Sequence, residues 1–307
     1  MKACIDIGGT KVAVSLNDGT NLELLARRDA PTMKTGTNDA LARQVIRMVD
    51  EACSEAGVAP EAVQRAGVAS AGPFVLRDGM VELATPNICG GLAGPARGLP
   101  NDWLTATLEA PLRERFREVR VENDAVAALE AERRWGALQG SDHCAYVTWS
   151  TGVGAGLCVD GKVLRGKNGN AGHAGHTFAS DNDDALCGCG NVGDLEAVVA
   201  GNSVERRFGA DAATLMQRAR AGDAAAVVIV DELCRVMGRG LYNLTVLMDL
   251  ERISLGGSVF LHNQDYLLPR LEAQLRGRMP ALTDGCGLVP AGLGARVGDY
   301  AALALLA

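Results

Sequence analysis

Two stretches of the sequence, about 140 residues apart, repeat one pattern. In each, a short apolar strand runs into a turn rich in glycine, serine and threonine, and a second strand follows. The first turn is residues 6–11 within 3–16, and the second is residues 150–156 within 144–165. One such turn alone fits a hairpin with a glycine bulge equally well, but the recurrence indicates an internal duplication. Each half then offers backbone N–H groups in a concave turn, which suits a phosphate group.

The remaining pattern predicts a mixed α/β fold. Apolar residues recur at helical spacing over 38–56, 103–116, 193–219, 223–248 and 295–306. Short apolar runs predict strands over 22–26, 64–71, 118–122 and 251–259. Hairpin turns are predicted at Asn17-Asp18-Gly19 and at Asp160-Gly161. Strands that alternate with helices in this way are typical of a largely parallel sheet.

Length and composition limit the class of protein. A chain of 307 residues is long enough for two domains, since single cores tend to split above roughly 250 residues. The formal net charge is −7 and no run of Lys or Arg exceeds two residues, so we expect no nucleic-acid partner. No apolar run approaches the roughly 20 residues of a membrane span, so we expect no membrane partner. Met1-Lys2 leads straight into a strand without a secretion signal, so the nine cysteines are expected to be free thiols in the cytoplasm.

One loop concentrates glycine together with side chains that bind ligands or metals. His173 and His176 stand three residues apart, and Cys187 and Cys189 follow after a polar spacer. Glycine lets the backbone come close to a ligand, because it has no side chain and tolerates positive φ. This composition is typical of a loop that organises a ligand or a metal.

A second candidate segment lies where a predicted strand passes into a predicted helix. Glu122, Asn123 and Asp124 occupy that junction. The ends of strands in α/β sheets are a common place for ligand-binding groups. Asn and Asp are also ordinary N-cap residues, and the spacing alone favours the capping role.

Taken together, these motifs resemble the ROK family (repressor, open reading frame, kinase) of bacterial sugar kinases, within the actin-like ATPase superfold. The resemblance covers essentially the whole chain. Residues 6–11 and 150–154 resemble the first and second phosphate turns, and residues 122–125 resemble the catalytic segment. Residues 255–258 resemble the adenosine-side segment, and residues 171–196 resemble the sugar and zinc signature.

The resemblance implies a fold, an activity and a set of partners. The fold is α/β, with two actin-like (ribonuclease H-like, hexokinase-type) domains flanking an active-site cleft. The smaller domain would be residues 1–120 plus 294–307, and the larger one residues 121–293. The activity would be transfer of phosphate from ATP to the 6-hydroxyl of a hexose or N-acylhexosamine, with Mg²⁺ as cofactor. A structural Zn²⁺ and a cytoplasmic homodimer are also expected.

The same resemblance implies roles for individual residues. Asp124 would be the general base, and Asp6 would orient the magnesium through water, because Mg²⁺ keeps much of its hydration shell. The ATP-binding set would comprise Asp6, Gly8, Gly9, Thr10, Lys11, Thr151, Gly152, Val153, Gly154, Gly256 and Gly257. The sugar-binding set would comprise Ser70, Gly72, Asn87, Asn123, His173, His176 and Glu196.

Two positions depart from the family pattern. His173 stands where the family usually has Glu, and Asp194 stands in place of the third zinc cysteine. His173, together with Thr177 and residues 87–92, resembles bacterial N-acetylmannosamine kinases more than typical glucokinases. The sugars that the family resemblance favours are N-acetylmannosamine and glucose. His176, Cys187 and Cys189 alone do not close a zinc tetrahedron. Asp194 can be the fourth ligand, or the loop is free of metal and held by hydrogen bonds.

Two other functions are compatible with this fold. A non-catalytic sugar-binding regulator is disfavoured because Asp6, Thr10, Asn123 and Asp124 are all present, and because no helix-turn-helix precedes Met1. An ATPase-type activator of another enzyme would not need a loop of sugar-reading histidines.

Overall fold

A computed structural model of the protein describes residues 1–92, 98–181 and 185–307. Its contacts divide the chain into two units. Unit 1 comprises Met1–Ala131, Arg165–Ala171 and Gly298–Ala307. Unit 2 comprises Glu132–Leu164 and Gly172–Val297. The domain boundaries inferred from the sequence, after residues 120 and 293, stay predictions.

The strands are β1 (Lys2–Ile7), β2 (Lys11–Asn17), β3 (Leu25–Pro31), β4 (Arg65–Ser70), β5 (Phe74–Arg77), β6 (Met80–Leu83), β7 (Ala106–Thr107), β8 (Glu118–Asn123), β9 (Cys144–Trp149), β10 (Val153–Val159), β11 (Lys162–Val163), β12 (Arg252–Gly256) and β13 (Gly287–Pro290).

The helices are α1 (Ala40–Ala56), α2 (Glu109–Arg115), α3 (Asp124–Trp135), α4 (Leu195–Val199), α5 (Gly201–Phe208), α6 (Ala212–Arg220), α7 (Ala224–Met248), α8 (Ser258–Leu261), α9 (Gln264–Leu275), α10 (Pro280–Thr283) and α11 (Val297–Ala304). Within the described part of the chain, none of the helices is both long enough and apolar enough to cross a membrane.

Each unit is built on a five-stranded sheet of the same design. In unit 1 the strand order is β3-β2-β1-β4-β8, and in unit 2 it is β11-β10-β9-β12-β13. The first three strands of each sheet pair antiparallel, and the strands that follow the hairpin pair parallel. The strand–turn–strand repeat in the sequence therefore corresponds to β1–β2 and to β9–β10. Unit 1 also carries a small antiparallel sheet of order β5-β6-β7.

The local predictions for the two hairpins had different outcomes. The turn at Asp160-Gly161 is confirmed, since both residues have positive φ and directly join β10 to β11. The turn at Asn17-Asp18-Gly19 is wrong as a tight hairpin, and the strand predicted over 22–26 starts only at Leu25. The Asn17 side chain explains this, because its amide donates to the backbone carbonyls of Asn21 and Glu23 and holds a longer loop.

Three predicted helices are shorter or broken. The helix predicted over 193–219 is three helices, α4 to α6, because Ala200 is extended and Gly209 is left-handed. The one predicted over 295–306 becomes α-helical only from Val297. The one predicted over 103–116 begins with β7, so that α2 covers only its second half. The strand predicted over 251–259 ends at Gly256 and continues into α8.

The cores follow from the apolar spacing of two helices. In unit 1, α1 buries the face that carries Leu41, Val45, Met48, Val49 and Ala52. In unit 2, α7 begins at an Asp223 cap that accepts from Ala225 and Ala226 N–H. It buries a stripe of Val230, Leu233, Met237 and Leu241 in one core with Trp149 and Phe260. Burial of such side chains stabilises each unit by about 1.5–3 kcal/mol per residue.

A buried carboxylate, Glu132, connects three segments of unit 2 through hydrogen bonds. Glu132 is completely buried and accepts four hydrogen bonds, from the N–H groups of Ala137, Gly292 and Leu293 and from the Ser254 hydroxyl. These donors come from the end of α3, from β12 and from the turn after β13. A charged group with several donors can be buried at tolerable cost. Glu132 therefore fixes the strand β12 that leads to Gly256.

Candidate active site

The sheet of unit 1 brings two sequence-predicted acids to one edge. Ile7 pairs with Ser70 across β1 and β4, and Ser70 pairs with Asn123 across β4 and β8. These three residues form one row at the carboxyl ends of parallel strands. Asp6 lies one residue before the row and Asp124 one residue after it. The edge where ligands bind in α/β sheets therefore carries both carboxylates.

Asn123 and Asp124 begin helix α3 as well as ending the strand. Asn123 Oδ1 accepts from Ala125 N–H at 3.0 Å, and Asp124 Oδ1 accepts from the same group at 2.8 Å. Asn123 is buried, whereas the Asp124 side chain is exposed. The capping role expected from the sequence is thus present, and it leaves the Asp124 carboxylate at the surface of the unit. The two roles are compatible.

The first phosphate turn is closed by short-range and long-range hydrogen bonds. Gly8 N–H donates to Lys11 C=O at 2.9 Å. Thr32 lies at the end of β3, and its hydroxyl donates to Gly8 C=O at 2.7 Å. A Cβ on Gly9 would lie 3.0 Å from Asn87 Cβ, so Asn87 packs directly on the turn. Sequence reasoning missed Thr32, because nothing in its own neighbourhood marks it as a partner of a turn more than twenty residues earlier.

The segment that follows β4 is also held by hydrogen bonds. Ser70 is buried and its hydroxyl donates to Ala71 C=O at 3.3 Å. The Thr85 hydroxyl donates to the same carbonyl at 2.7 Å, and Ala71 N–H donates to Ile7 C=O at 2.9 Å. Gly72 follows in the connection to β5. Ser70 therefore ends β4 beside the end of β1, and the segment that begins with Ala71 and Gly72 is anchored there by hydrogen bonds.

Burial and two neighbouring carboxylates disfavour the ionised form of Asp6. Burial above all, and then the nearby carboxylates of Asp124 and Asp299, raise the pKa of the Asp6 carboxyl from 3.8 to about 7. Lys11 and Arg27 lower this pKa, but they do not compensate. A divalent cation beside Asp6 favours the ionised carboxylate. A cation bound beside Asp6 would therefore offset the cost of ionising this carboxyl.

We expect Asp6→Asn to stabilise the ligand-free protein against heat, and by more near pH 8 than near pH 5. Because the folded-state pKa is raised to about 7 from 3.8, ionisation of Asp6 costs stability in the folded protein. That cost grows as pH rises from about 4 to about 7 and is constant above, and asparagine removes it. Thermal unfolding at both pH values measures the effect.

Asp18→Asn is the matched control of opposite sign. Hydrogen bonds from the Thr20 N–H and hydroxyl lower the pKa of Asp18. Its carboxylate therefore adds stability above the unfolded-state pKa, and this is lost as pH falls through the folded one. A Asp6→Asn protein that melts below the wild type near pH 8 would contradict the assignment of an unfavourable charge at Asp6.

The second phosphate turn lies in unit 2 and is held by residues of helices α4, α5 and α8. Glu196 Oε2 accepts from Val153 N–H at 2.9 Å. Ser150 C=O accepts from Gly201 N–H at 2.8 Å, and its hydroxyl lies 3.1 Å from the Ser258 hydroxyl. Thr151 and Gly152 lie in the turn between β9 and β10, whereas Val153 and Gly154, predicted as part of the turn, begin β10. Glu196, predicted to bind sugar, thus contacts the phosphate turn in this structure.

The two glycines at the end of β12 have a packing role. Gly257 has φ +85, and a Cβ there would lie 2.4 Å from Trp149 C=O. A Cβ on Gly256 would lie 2.3 Å from the Tyr146 hydroxyl. Both glycines let β12 approach β9 closely, which explains their presence without a ligand. Their assignment to the adenosine side stays a prediction.

The histidine loop lies along β10. Gly172 has φ +92 and its C=O accepts from Ala155 N–H at 2.8 Å, while a Cβ would lie 2.0 Å from Ala155 C=O. No other residue type fits there, and the backbone contact fixes where His173 begins. The His173 and His176 rings stack at 6.0 Å between centroids, at 20° between planes. The polar spacer at 182–184 lies outside the described residues.

His173 carries a polar atom that needs a partner. Its Nε2 is buried and has no hydrogen-bond partner among the residues that the structure describes. Burial lowers the pKa of His173, and the neighbouring His176 lowers it further, so the ring is neutral near pH 7. A buried unpaired ring nitrogen costs about 1–3 kcal/mol, which a ligand hydroxyl or amide would recover. The buried Nε2 of His173 is therefore a candidate contact for a ligand.

The four predicted zinc ligands come together in unit 2. One ligand atom from each of His176, Cys187, Cys189 and Asp194 lies within 4.8 Å of all the others. His176 Nδ1 is 3.3 Å from Asp194 Oδ2 and 3.7 Å from Cys187 Sγ, and Cys189 Sγ is 3.5 Å from Asp194 Oδ2. In a tetrahedral zinc site, neighbouring ligand atoms lie about 3.3–3.8 Å apart. The donor set fits zinc in type, and the three separations given above fit it in spacing.

Asp194 has two functions, one for each oxygen. Oδ1 accepts from Ala197 N–H at 2.7 Å and caps helix α4, while Oδ2 faces the cluster. Burial raises the pKa of Asp194, but hydrogen bonds from His176 and Ala197 outweigh it and the net pKa is lowered. The bond to Asp194 raises the pKa of His176, and burial raises that of the Cys187 thiol. A bound cation would replace the protons that this cluster shares.

The predicted residues thus fall into two groups. Unit 1 holds Asp6, Gly8, Gly9, Thr10, Lys11, Ser70, Gly72, Asn87, Asn123 and Asp124. Unit 2 holds Thr151, Gly152, Val153, Gly154, His173, His176, Cys187, Cys189, Asp194, Glu196, Gly256 and Gly257.

Comparison with known proteins identifies the family. The model of the ROK family matches residues 2–305. The chain is also 37% identical over 261 residues to the N-acetylmannosamine kinase of Salmonella paratyphi A, which covers 83% of this chain and 82% of that protein. The chain belongs to the ROK family.

Two solved structures show the same fold. The ROK hexokinase of Thermus thermophilus is 31% identical, with a TM-score of 0.74, over 99% of this chain and 96% of that one. A ROK family glucokinase of Streptomyces griseus, in complex with glucose and AMPPNP, is 27% identical, with a TM-score of 0.71, over 98% and 97%. The predicted α/β fold of actin-like, hexokinase type is confirmed.

Proposed function

We propose that this protein is an ATP-dependent sugar kinase that phosphorylates the 6-hydroxyl of a hexose or N-acylhexosamine, with N-acetylmannosamine or glucose favoured. The names of its relatives, an N-acetylmannosamine kinase, a hexokinase and a glucokinase, support a sugar kinase. The observation that carries the proposal is the pair of carboxylates, Asp6 and Asp124, at one edge of the unit 1 sheet beside a glycine turn.

Asp124 is assigned as the general base. Its exposed carboxylate accepts the proton of the sugar hydroxyl as that oxygen forms a bond to the γ-phosphorus. The bond from the γ-phosphorus to the bridging oxygen breaks, and ADP leaves. General-base help of this kind is worth about 10²–10⁴-fold in rate.

The rest of unit 1 supplies phosphate binding and charge. The backbone N–H groups and the Thr10 hydroxyl of the first turn would hold phosphate oxygens, since such turns favour anions. Asp6 would accept hydrogen bonds from water on Mg²⁺, which keeps most of its hydration shell. Magnesium, when bound, neutralises charge on the transferred phosphate.

Unit 2 supplies sugar recognition and the second phosphate turn. The neutral His173 can donate one hydrogen bond and accept one, whereas the glutamate usual in the family only accepts. His176 turns Nδ1 to the metal cluster, which leaves Nε2 for a substrate hydroxyl. Zinc, when bound, would hold the loop and fix the orientation of the His176 ring. The homodimer and the cytoplasmic location stay predictions.

A coupled assay of ADP release tests the proposal. We expect turnover with at least one of glucose, mannose, N-acetylmannosamine, N-acetylglucosamine and fructose, with the first or third giving the highest kcat/KM. The phosphorus NMR signal of the product should couple to the protons on C6. Sugar binding without turnover would instead indicate the regulator, and ADP release that no sugar accelerates would indicate an ATPase.

Exchange of His173 for the usual acidic residue should change which sugar is preferred. We expect His173→Glu to lower the ratio of kcat/KM for N-acetylmannosamine over glucose by about tenfold or more, because unpaired donors or acceptors in a buried site discriminate strongly. His262→Glu makes the same substitution at an exposed site in unit 2 and should leave the ratio unchanged. Equal effects of the two variants would remove His173 from sugar recognition.

A further inference from the structure

Strand β3 of unit 1 carries a backbone distortion at Ala26 and Arg27. Leu25 pairs with Leu16 and Arg28 pairs with Val14, so two residues, Ala26 and Arg27, lie opposite the single residue between them. Ala26 has φ +46, a left-handed conformation that costs energy for any residue with a Cβ. A bulge of this kind re-aims the side chain that it carries. The bulge in β3 changes the direction of the Arg27 side chain.

Arg27 is directed to the C-terminal helix of the chain. Its Nε donates to Asp299 Oδ1 at 3.0 Å, in the first turn of α11. Its guanidinium also lies 3.7 Å from Asp29, which is 3.9 Å from Lys11 Nζ in the first phosphate turn. Alternating charges therefore run from the phosphate turn, through β3, to α11.

Asp6 lies at the end of this row of charges. A cavity of about 10 Å³, close to the least volume that holds one water, is lined by Asp6, Arg27 and Asp299 among other residues. A Cβ on Gly298, the neighbour of Asp299, would lie 3.8 Å from Asp6 Oδ2, in ordinary van der Waals contact. Two carboxylates thus share one small cavity, and Arg27 is the cation that lines it with them.

We propose that Arg27 and Asp299 are positioning residues for Asp6, in which Arg27 neutralises Asp299 so that α11 can pack against the Asp6 carboxylate without repelling it. This role rests on the proposed kinase function, in which Asp6 faces the magnesium–nucleotide complex. Neither residue needs to touch the nucleotide.

The exposure of the pair supports this role over a purely structural one. The side chains of Arg27 and Asp299 are 42% and 29% exposed, and ion pairs that are this solvated contribute little to stability. The strained conformation of Ala26 is therefore not explained by the stability of the Arg27–Asp299 pair, and such strain indicates a constraint from function. The neighbouring Arg28 offers the contrast, because it pairs with Glu51 and Glu55 on α1, away from Asp6.

The test is a charge-compensation series, read by MgADP affinity in calorimetry and by kcat and KM in the kinase assay. Arg27→Met leaves the Asp299 charge uncompensated beside Asp6. We expect MgADP affinity and kcat/KM for MgATP to fall about 5- to 30-fold, with KM for the sugar changed less than about twofold. Asp299→Asn alone should stay within about threefold of wild type, and Arg27→Met/Asp299→Asn should recover most of the loss. Arg27→Lys keeps the charge and should be nearly normal.

Two outcomes overturn the proposal while leaving the kinase function intact. If Arg27→Met behaves like the control Arg28→Met in an active enzyme, Arg27 has no positioning role. If Asp299→Asn fails to rescue Arg27→Met, Arg27 acts by itself, for example on phosphate.

A wild type that binds MgADP without phosphorylating any sugar overturns the kinase function, and the calorimetry still decides the role of Arg27. A wild type that binds no MgADP overturns both. Melting temperatures within a few degrees of wild type exclude misfolding as the cause.

Discussion

Asp124→Asn should lower kcat by about 10²–10⁴-fold while the sugar dissociation constant stays within about threefold of wild type. Asparagine keeps the oxygen that accepts from Ala125 N–H at 2.8 Å, so the start of helix α3 is preserved. Asn123 caps the same N–H independently. The change therefore removes the proton acceptor and little else. Steady-state kinetics and calorimetry with the preferred sugar measure the two quantities separately.

Asp39→Asn is the matched control for Asp124→Asn. Asp39 also precedes a helix of unit 1, and its carboxylate pairs with Arg43 at the surface. We expect it to keep kcat within about twofold, because a surface ion pair contributes only about 0–1 kcal/mol to stability and nothing to the reaction. Retention of more than about a tenth of wild-type kcat by Asp124→Asn would exclude Asp124 as the base.

The parts of the fold that the sequence predicts are those determined by local pattern. The Asp160-Gly161 turn and the apolar stripe of α7 depend on residues that are neighbours in the chain, so periodicity and turn chemistry suffice. The cluster of His176, Cys187, Cys189 and Asp194 belongs to this class too. His176 and Asp194 are only 18 residues apart, and one loop can bring them together.

The parts that could not be predicted depend on partners far along the chain. Arg27 meets Asp299 across 272 residues, and the bulge that aims it arises from the pairing of β3 with β2. Glu132 receives Gly292 N–H across 160 residues. On the sequence, it is one of several charged residues on an Ala-rich helix, and no local signal shows that it is buried. Such residues become visible only when the sheets are assembled.

Gly256 and Gly257 show a third case, in which both packing and a bound ligand could explain why glycine is present. Gly256 and Gly257 match an adenosine-side motif, yet Tyr146 and Trp149 already exclude any side chain there. A glycine can therefore be explained by packing alone at a position where a ligand is also expected. Mutation of these residues would disturb both roles, so it cannot test the nucleotide site.

Removal of the Asp194 charge should release zinc and weaken sugar binding. We expect purified wild type to hold about one zinc per chain and Asp194→Asn to lose most of it on dialysis against a chelator. Asparagine can still cap α4 by accepting from Ala197 N–H, so the helix start is kept while the anionic ligand is lost. Without the metal, the His176 ring is no longer fixed, and KM for the sugar should rise about 10–100-fold. KM for MgATP should change far less.

Asp211→Asn is the control for the capping function. Asp211 caps α6 by accepting from Thr214 N–H at 2.7 Å, as Asp194 does for α4, but it has no place in the metal cluster. It should keep zinc and both KM values. Asp194→Cys should hold zinc more tightly, because thiolate is the softer ligand, while losing about 1 kcal/mol of stability with the cap. Elemental analysis of the dialysed proteins measures the zinc content per chain and so tests these expectations. Fully active wild type with almost no zinc would show that the hydrogen bonds among His176, Asp194 and Cys187 hold the loop without a metal.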